Sequence, residues 1–354
     1  MNKTRHSMRA ALNRRQVLKG MAAAGAATAI GGFPAIARSA PSQIVVATGG
    51  GKLEDAFKAS YFKHFTDATG VPIVTTSNPT AKLKAMVEQN SVEWDVAQMA
   101  AEAAIVLGRQ GVLEPIDYSV VDKSNLLPGM AREFFVMSDV AAYHVAWNTQ
   151  NVSSANAPAD WAAFWAIKGR KGLWKRPFQT MEAALLADGM PKDKLYPLDV
   201  ERALKSLDKI KDSLVWWEKG AQSAQLLLDG EVEVSSTWNG RVHEPKQAGA
   251  PVDYHFNGAV FVSDAFVVPK GAPNRKESMQ LIAATLNAEA QAAFSTAIPY
   301  GPTNTAALAM LSADIKKNLP SSDENFAKGV VLDLDWWADN GDATGETFNK
   351  YLLG

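Results

Sequence analysis

Cysteine is absent from the 354 residues, and with it go disulfides, thiolate metal sites and cysteine nucleophiles. Histidine is scarce. Of five, His6 sits in the N-terminal segment treated below, and His64, His144, His243 and His255 have no close ligand spacing. Each reads as a surface or satisfied histidine, and no metal is expected. The seven tyrosines include no adjacent pair, which argues against a ferric site built on paired phenolates. The serine elbow, the zincin pair, the phosphate loop and the dinucleotide fingerprint are also missing. Little enzymatic chemistry is left, and no cofactor is called for.

Acidic residues are missing from the first 37 positions, which carry the bases Lys3, Arg5, Arg9, Arg14, Arg15 and Lys19. The 36 bases and 37 acids of the whole chain therefore become 30 and 37 beyond that segment, a formal charge of −7. Such a body suits no polyphosphate, so nucleic acid is not an expected partner. The 18 residues from Gly20 to Ala37 are uncharged but interrupted by Gly20, Gly25, Gly31, Gly32 and Pro34. A membrane helix needs roughly 20 predominantly apolar residues, usually without such breakers. Arg14-Arg15 ahead of Leu18-Lys19 resembles the twin-arginine export signal, and Ala35-Ile36-Ala37 offers a small-x-small cleavage site. Residues 1–37 are read as a twin-arginine-type signal peptide delivering the mature chain to the periplasm. A general secretory signal with two chance arginines is the alternative.

Beyond the signal, β-like and helical patterns alternate. Gln43 to Thr48 is a short apolar run ending in Gly49-Gly50-Gly51. Leu53, Phe57, Tyr61 and Phe65 recur every four residues as on an amphipathic helix, and β-branched residues follow at Val71 to Thr75. This strand, helix and strand make a βαβ unit with parallel strands. Further helices are expected at Ala81 to Gln89, Glu102 to Arg109, Met181 to Leu186, Val200 to Ile210 and Gly220 to Leu228, and one long Ala-rich helix at Met279 to Ala293. Strands are expected at Trp94 to Ala97, Val140 to Trp147, Glu231 to Ser235 and Ser263 to Pro269. Trp161 to Trp165 and Lys168 to Arg176 read as a basic, aromatic, turn-rich stretch. The length exceeds what one core usually serves, and no disordered linker divides it, so two α/β lobes that exchange the chain more than once are expected.

Several blocks together carry a family pattern: Thr48-Gly49-Gly50-Gly51, Trp94-Asp95-Val96, Gly111-Val112-Leu113-Glu114-Pro115-Ile116, Leu195-Tyr196-Pro197-Leu198-Asp199, Trp238-Asn239-Gly240-Arg241 and Tyr300-Gly301-Pro302-Thr303-Asn304. In this order and spacing the chain resembles the substrate-binding proteins of bacterial ABC importers, in the branch that includes the spermidine and putrescine receptors, over residues 42 to 354. The resemblance implies the two-lobe periplasmic binding protein fold, type II-like and α/β, with ligand in the interlobe cleft. It implies lobe one at 42–148 plus 263–308 and lobe two at 149–262 plus 309–354. It implies a monomeric receptor, not an enzyme, whose partners are a small-molecule ligand and an ABC permease in the inner membrane. An exported hydrolase on a two-lobe scaffold is the contrasting class.

The resemblance also implies site residues. Trp238 falls on a ligand-stacking tryptophan, Tyr300 on a ligand-contacting tyrosine and Asp264 on an ammonium-binding aspartate. Trp337 falls on a polar contact and Glu102 near a site-lining aromatic. Gly50 and Gly51 fall where polyamine receptors carry bulky aromatics; by themselves they read as a tight turn or an anion-facing loop. Taken singly, Trp238 and Tyr300 read equally as core aromatics. The chain departs from the polyamine pattern at Arg176-Pro177-Phe178-Gln179, where acids for a second ammonium are expected, and at Arg241, where a small neutral residue is expected. An arginine facing the cleft would repel a second ammonium and could clamp a carboxylate, whereas a surface Arg241 would do neither. One acid and one arginine across an aromatic-lined cleft suit a short zwitterion. γ-Aminobutyrate (GABA) or a similar short ω-amino acid is the expected ligand, with a polyamine as the alternative.

Overall fold

The computed structural model describes residues 41–354; the signal segment at 1–37 lies outside the described residues. The strands are β1 (Ile44–Thr48), β2 (Ile73–Ser77), β3 (Val96–Ala100), β4 (Phe135–Met137), β5 (Asp139–Asn148), β6 (Lys171–Trp174) and β7 (Leu214–Trp217). They continue with β8 (Val234–Trp238), β9 (Val252–Tyr254), β10 (Val260–Val262), β11 (Asp264–Val267), β12 (Gly301–Pro302) and β13 (Val330–Val331). Two sheets form. One runs β2-β1-β3-β11-β4; the other runs β13-β10-β5-β8-β6-β7, with β9 and β12 also paired to β5.

The expected βαβ unit is present, with β1 and β2 parallel from Ile44↔Ile73 to Thr48↔Ser77. Between them the helix Gly51–Phe57 runs through a π-helical turn, Lys58–Phe62, into the helix Lys63–Thr69. Its four-residue apolar spacing holds Phe57, Tyr61 and Phe65 in the core, where Phe57 and Tyr61 stack on Phe294. Gly70, at φ 71°, ends the helix in the left-handed conformation that a Cβ disfavours. Truncating a fully buried phenylalanine such as Phe57 costs about 3–5 kcal/mol. The second sheet packs a separate core that includes Tyr143, Trp161, Leu185 and Trp217.

Three expectations need correction. The stretch Trp161 to Arg176 is not turn-rich: it holds the helix Trp161–Ala166, capped by Asp160 through the Ala163 amide, and then β6. Trp161 and Phe164 are core residues, Trp165 and Trp174 are partly buried, and the elements are too short for periodicity to reveal. The Ala-rich region is two helices, Arg275–Thr285 and Ala288–Ala297, because Asn287 caps the second by accepting from the Ala290 amide. The strand expected at Glu231 to Ser235 lies later, at β8. The sequence also gave no notice of the C-terminal helix Leu334–Leu353, started by Asp333.

The chain passes between the sheets directly at two neighbouring points, and a third time through the longer connection from β11 to β12 and β13. Ser138 alone separates β4 in the first sheet from β5 in the second, and Ser263 alone separates β10 in the second from β11 in the first. Strand β5, expected with the first lobe, therefore hydrogen-bonds into the second sheet. The two crossings run antiparallel, with Ala141↔Val262 on one side and Met137↔Ala265 on the other. Ser138, Asp139 and Val140 thus stand opposite only Ser263 and Asp264. One extra residue on one strand is the signature of a β-bulge, which bends the strand and re-aims side chains.

Candidate functional site

A cavity of about 400 Å³ opens beside these crossings. The first sheet supplies it with Asp264, which begins β11 opposite Ala100 of β3. Glu102 enters from the first turn of the helix Ala101–Arg109 that continues β3. The Asp264 carboxylate accepts a hydrogen bond from Gln98 Nε2 at 2.6 Å. Gln98 Oε1 is held in turn by the Gly49 amide and by Asn78 Nδ2, each at 3.2 Å. Burial pushes the Asp264 pKa up to about 6. Burial, with the charge of Asp264 beside it, pushes Glu102 up to about 7.

The second sheet supplies aromatic and basic groups. Trp238 ends β8, and the helix Asn239–Gln247 starts directly after it. Arg241 projects to the cavity from that helix's first turn, where unpaired amides favour an anion. Trp238 packs edge-on against Trp174 and Trp217, with ring centroids 4.9 and 5.2 Å away. Its indole N–H donates to Gln179 Oε1 at 3.1 Å. Gln179 holds a left-handed backbone at φ 61°, a cost of order 1–3 kcal/mol that residues of binding sites often carry. Tyr300 closes one side, so near Gly240 that a Cβ there would lie 2.8 Å from the tyrosine ring.

Five of the residues singled out in the sequence therefore line one cavity: Glu102, Trp238, Arg241, Asp264 and Tyr300. Three do not. Trp337 is buried behind the wall, stacked on the cavity-lining Phe178 at 4.2 Å, and its N–H donates to Glu182 Oε1 at 2.7 Å. Gly50 and Gly51 have φ of 73° and 66° and serve the turn out of β1; their segment reaches the site only through Gly49 and Gln98. Sequence reasoning missed Trp174 and gave Arg176 and Gln179 no role beyond breaking a pattern, yet all three line the cavity. The arginine at 176 was the available signal, because it doubles the basic charge opposite two acids.

Residues 60–321 match the bacterial extracellular solute-binding proteins, and residues 11–31 match the twin-arginine translocation signal sequence. The γ-aminobutyric acid-binding protein of Pseudomonas aeruginosa is 32% identical over 330 residues, 90% of this chain and 93% of that one. The spermidine/putrescine-binding periplasmic protein of Escherichia coli is 24% identical over 311 residues, 82% of this chain and 87% of that one. The solved structure of a GABA receptor superposes with a TM-score of 0.82 at 36% identity, covering 87% of this chain and 97% of the other. The architecture is accordingly the two-lobe fold of periplasmic binding proteins, and the signal match directs the chain to the periplasm by the twin-arginine route.

Proposed function

Because the chain belongs to the family of bacterial extracellular solute-binding proteins, receptors that bind small molecules and hand them to a permease, we propose that its solute is GABA or a similar short ω-amino acid. One observation carries this: Asp264 and Glu102 from the first sheet face a cavity that Arg241 and Arg176 enter from the second, with Trp238 and Tyr300 at its walls. Acid on one side and guanidinium on the other match a molecule with an ammonium at one end and a carboxylate at the other. In this reading Asp264 takes the ammonium, Arg241 clamps the carboxylate, and Trp238 and Tyr300 cover the methylenes between. The names of the 32% relative and the superposed receptor point the same way.

Lobe one, in the same reading, is 42–138 plus 263–308, and lobe two is 139–262 plus 309–354, with the boundary before β5 following its hydrogen bonds. Closure about Ser138 and Ser263 buries the solute, and reopening releases it. The receptor acts as a monomer, delivers to an ABC permease and binds no nucleic acid.

Calorimetric titration of GABA and putrescine into the wild type and Arg241→Ala tests the proposal. GABA is expected to bind tighter than putrescine, and Arg241→Ala to weaken GABA while leaving putrescine equal or better. A wild type that prefers putrescine, with Arg241→Ala neutral toward GABA, overturns it in favour of a polyamine receptor.

A further inference from the structure

Asp139 has no role so far, although it is the most unusual acid among the described residues. It is 0% exposed, and neither carboxyl oxygen makes a hydrogen bond of ordinary geometry among the described residues, the Asp264 backbone amide being the donor that bears on it. An acid buried with so little hydrogen bonding is costly, several kcal/mol by the usual measure, and such groups persist where something else uses them. Its position is informative. Asp139 and Ala141 lie two apart on β5 and so point to one face of the sheet, and Ala141 lines the cavity. The extra residue at 138–140 brings Asp139 alongside Asp264 on the neighbouring crossing.

We propose that Asp139 is a second carboxyl at the amine end of the site, lying one layer beneath Asp264 and engaging the ligand's ammonium jointly with it. This rests on the reading of the site as one that takes an ammonium. The groups facing Asp139 are Asp264 from β11, Tyr61 from the π-helical turn and Tyr300 ahead of β12. Tyr61 is already committed, donating to the Ser138 carbonyl at 3.0 Å. Glu102 and Arg241 bear on the cluster through Asp264 and Tyr300 respectively. Burial, and then the charge of Asp264, hold the Asp139 pKa well above the ordinary carboxylate range. In the ligand-free protein Asp139 is therefore neutral and Asp264 is the one that ionises. An arriving ammonium supplies the positive charge that lets both carboxyls ionise together, so the Asp139 proton leaves to solvent as the ligand enters. The device favours amines over isosteric uncharged ends, because only a cation can draw out that proton.

The test is calorimetry of GABA and putrescine at pH 6.5 in two buffers of different ionisation enthalpy, on the wild type and on Asp139→Asn. The wild type is expected to release protons on binding either ligand. Asp139→Asn keeps the side-chain shape, and it is expected to lose most of that release and about tenfold in affinity, which is 1.4 kcal/mol. An unchanged proton count and affinity in Asp139→Asn, with Asp264→Asn still damaging, overturns the assignment while leaving the ammonium site intact. A changed melting temperature with unchanged proton count and affinity does the same, marking Asp139 as purely structural. Wild type that binds neither amine overturns both this and the proposed function. Should Asp139→Asn not fold, carboxyl carbon-13 titration of the wild type decides. Two aspartates whose high apparent pKa values fall on adding GABA support the proposal, and only one falling overturns it.

Discussion

Asp264 and Arg241 face each other across one cavity, but the first is tied down and the second is loose. Asp264 is fixed by Gln98, which Gly49 and Asn78 hold in turn. Arg176 and Arg241 are exposed, with no hydrogen bond or ion pair among the described residues. The acid is borne by a strand whose neighbours fix its direction. The arginines come from a loop and a helix start, where long side chains keep their rotamers. Ordering an arginine on a ligand costs conformational entropy that the preset acid does not incur. In the proposed reading the acid end therefore recognises, and the arginine end secures. Its desolvation is the other half of the contrast: Asp264, at about pKa 6, already carries the cost of leaving water, which an ammonium relieves.

The contrast can be broken most severely at its fixed end. Asp264→Ala should cost about 3–5 kcal/mol in GABA binding, two to three and a half decades in Kd, because it strands a buried ammonium. Titration calorimetry checks this, and a loss smaller than that of Arg241→Ala would reverse the assignment of fixed and loose ends. Arg241→Ala should cost less, about 1.5–3 kcal/mol, the range for hydrogen bonds to charged groups, with Arg176 left to partly cover the carboxylate. Combining Arg241→Ala with Arg176→Ala should bring the loss toward that of Asp264→Ala, which measures how far the two arginines share the anion.

Next in size, Trp238→Ala should weaken binding by about 1–2 kcal/mol through lost cation–π and stacking contact. It should also remove most of any ligand-induced change in tryptophan fluorescence. A full fluorescence response from that variant would mean another tryptophan reports on the site.

Acidity acts on the fixed end alone. Below pH 6, Asp264 takes up a proton in the free receptor, so GABA affinity should fall toward tenfold per pH unit; above pH 7 it should go on rising in the wild type, because binding releases the Asp139 proton, and be flat in Asp139→Asn. Stability of the free receptor should move the other way. Glu102 and Glu182 titrate near 7 and Asp264 near 6 when folded, above their unfolded values near 4. The folded state thus holds more protons between about pH 4 and 7, and its stability declines as pH rises through that window. Melting curves at pH 5 and 7.5, with and without GABA, check both signs. The smallest effect belongs to ion pairs outside the cavity, Lys52 with Glu244 and Arg109 with Asp335 and Asp339. As exposed pairs they are worth under about 1 kcal/mol each, and Lys52→Ala should shift GABA affinity by less than fivefold, vanishing at high salt.

How far the sequence foretold this depends on what kind of signal each part emits. The helix through Phe57, Tyr61 and Phe65 and the helix Val200–Asp208 were legible because apolar spacing repeats over several turns. The helix Trp161–Ala166 was not, being shorter than two turns and followed at once by the bases Lys168, Arg170 and Lys171. The break at Asn287 was hidden because alanine on both sides gives no phase to interrupt. Trp238, Arg241, Asp264, Tyr300 and Glu102 line one cavity, whereas Trp337 and the glycines at 50 and 51 do not reach it. Asp139 left no mark at all: within Met137-Ser138-Asp139-Val140 it reads as a solvated face, and only the unequal count across the two crossings turns it inward.

Those crossings have a mechanical side. Each is a single residue long, and neighbouring strands sit about 4.8 Å apart, so two short straps lie side by side between the sheets. One strap would swivel freely; a pair resists twisting and sideways slip, leaving bending about the line that joins Ser138 and Ser263 as the soft direction. The sheets would then open and shut as a door does, on one axis, and every closure would return Arg241 to the same place above Asp264. A receptor so hung selects its solute by length, since the gap between the charged ends at closure is set by the hinge rather than by the ligand.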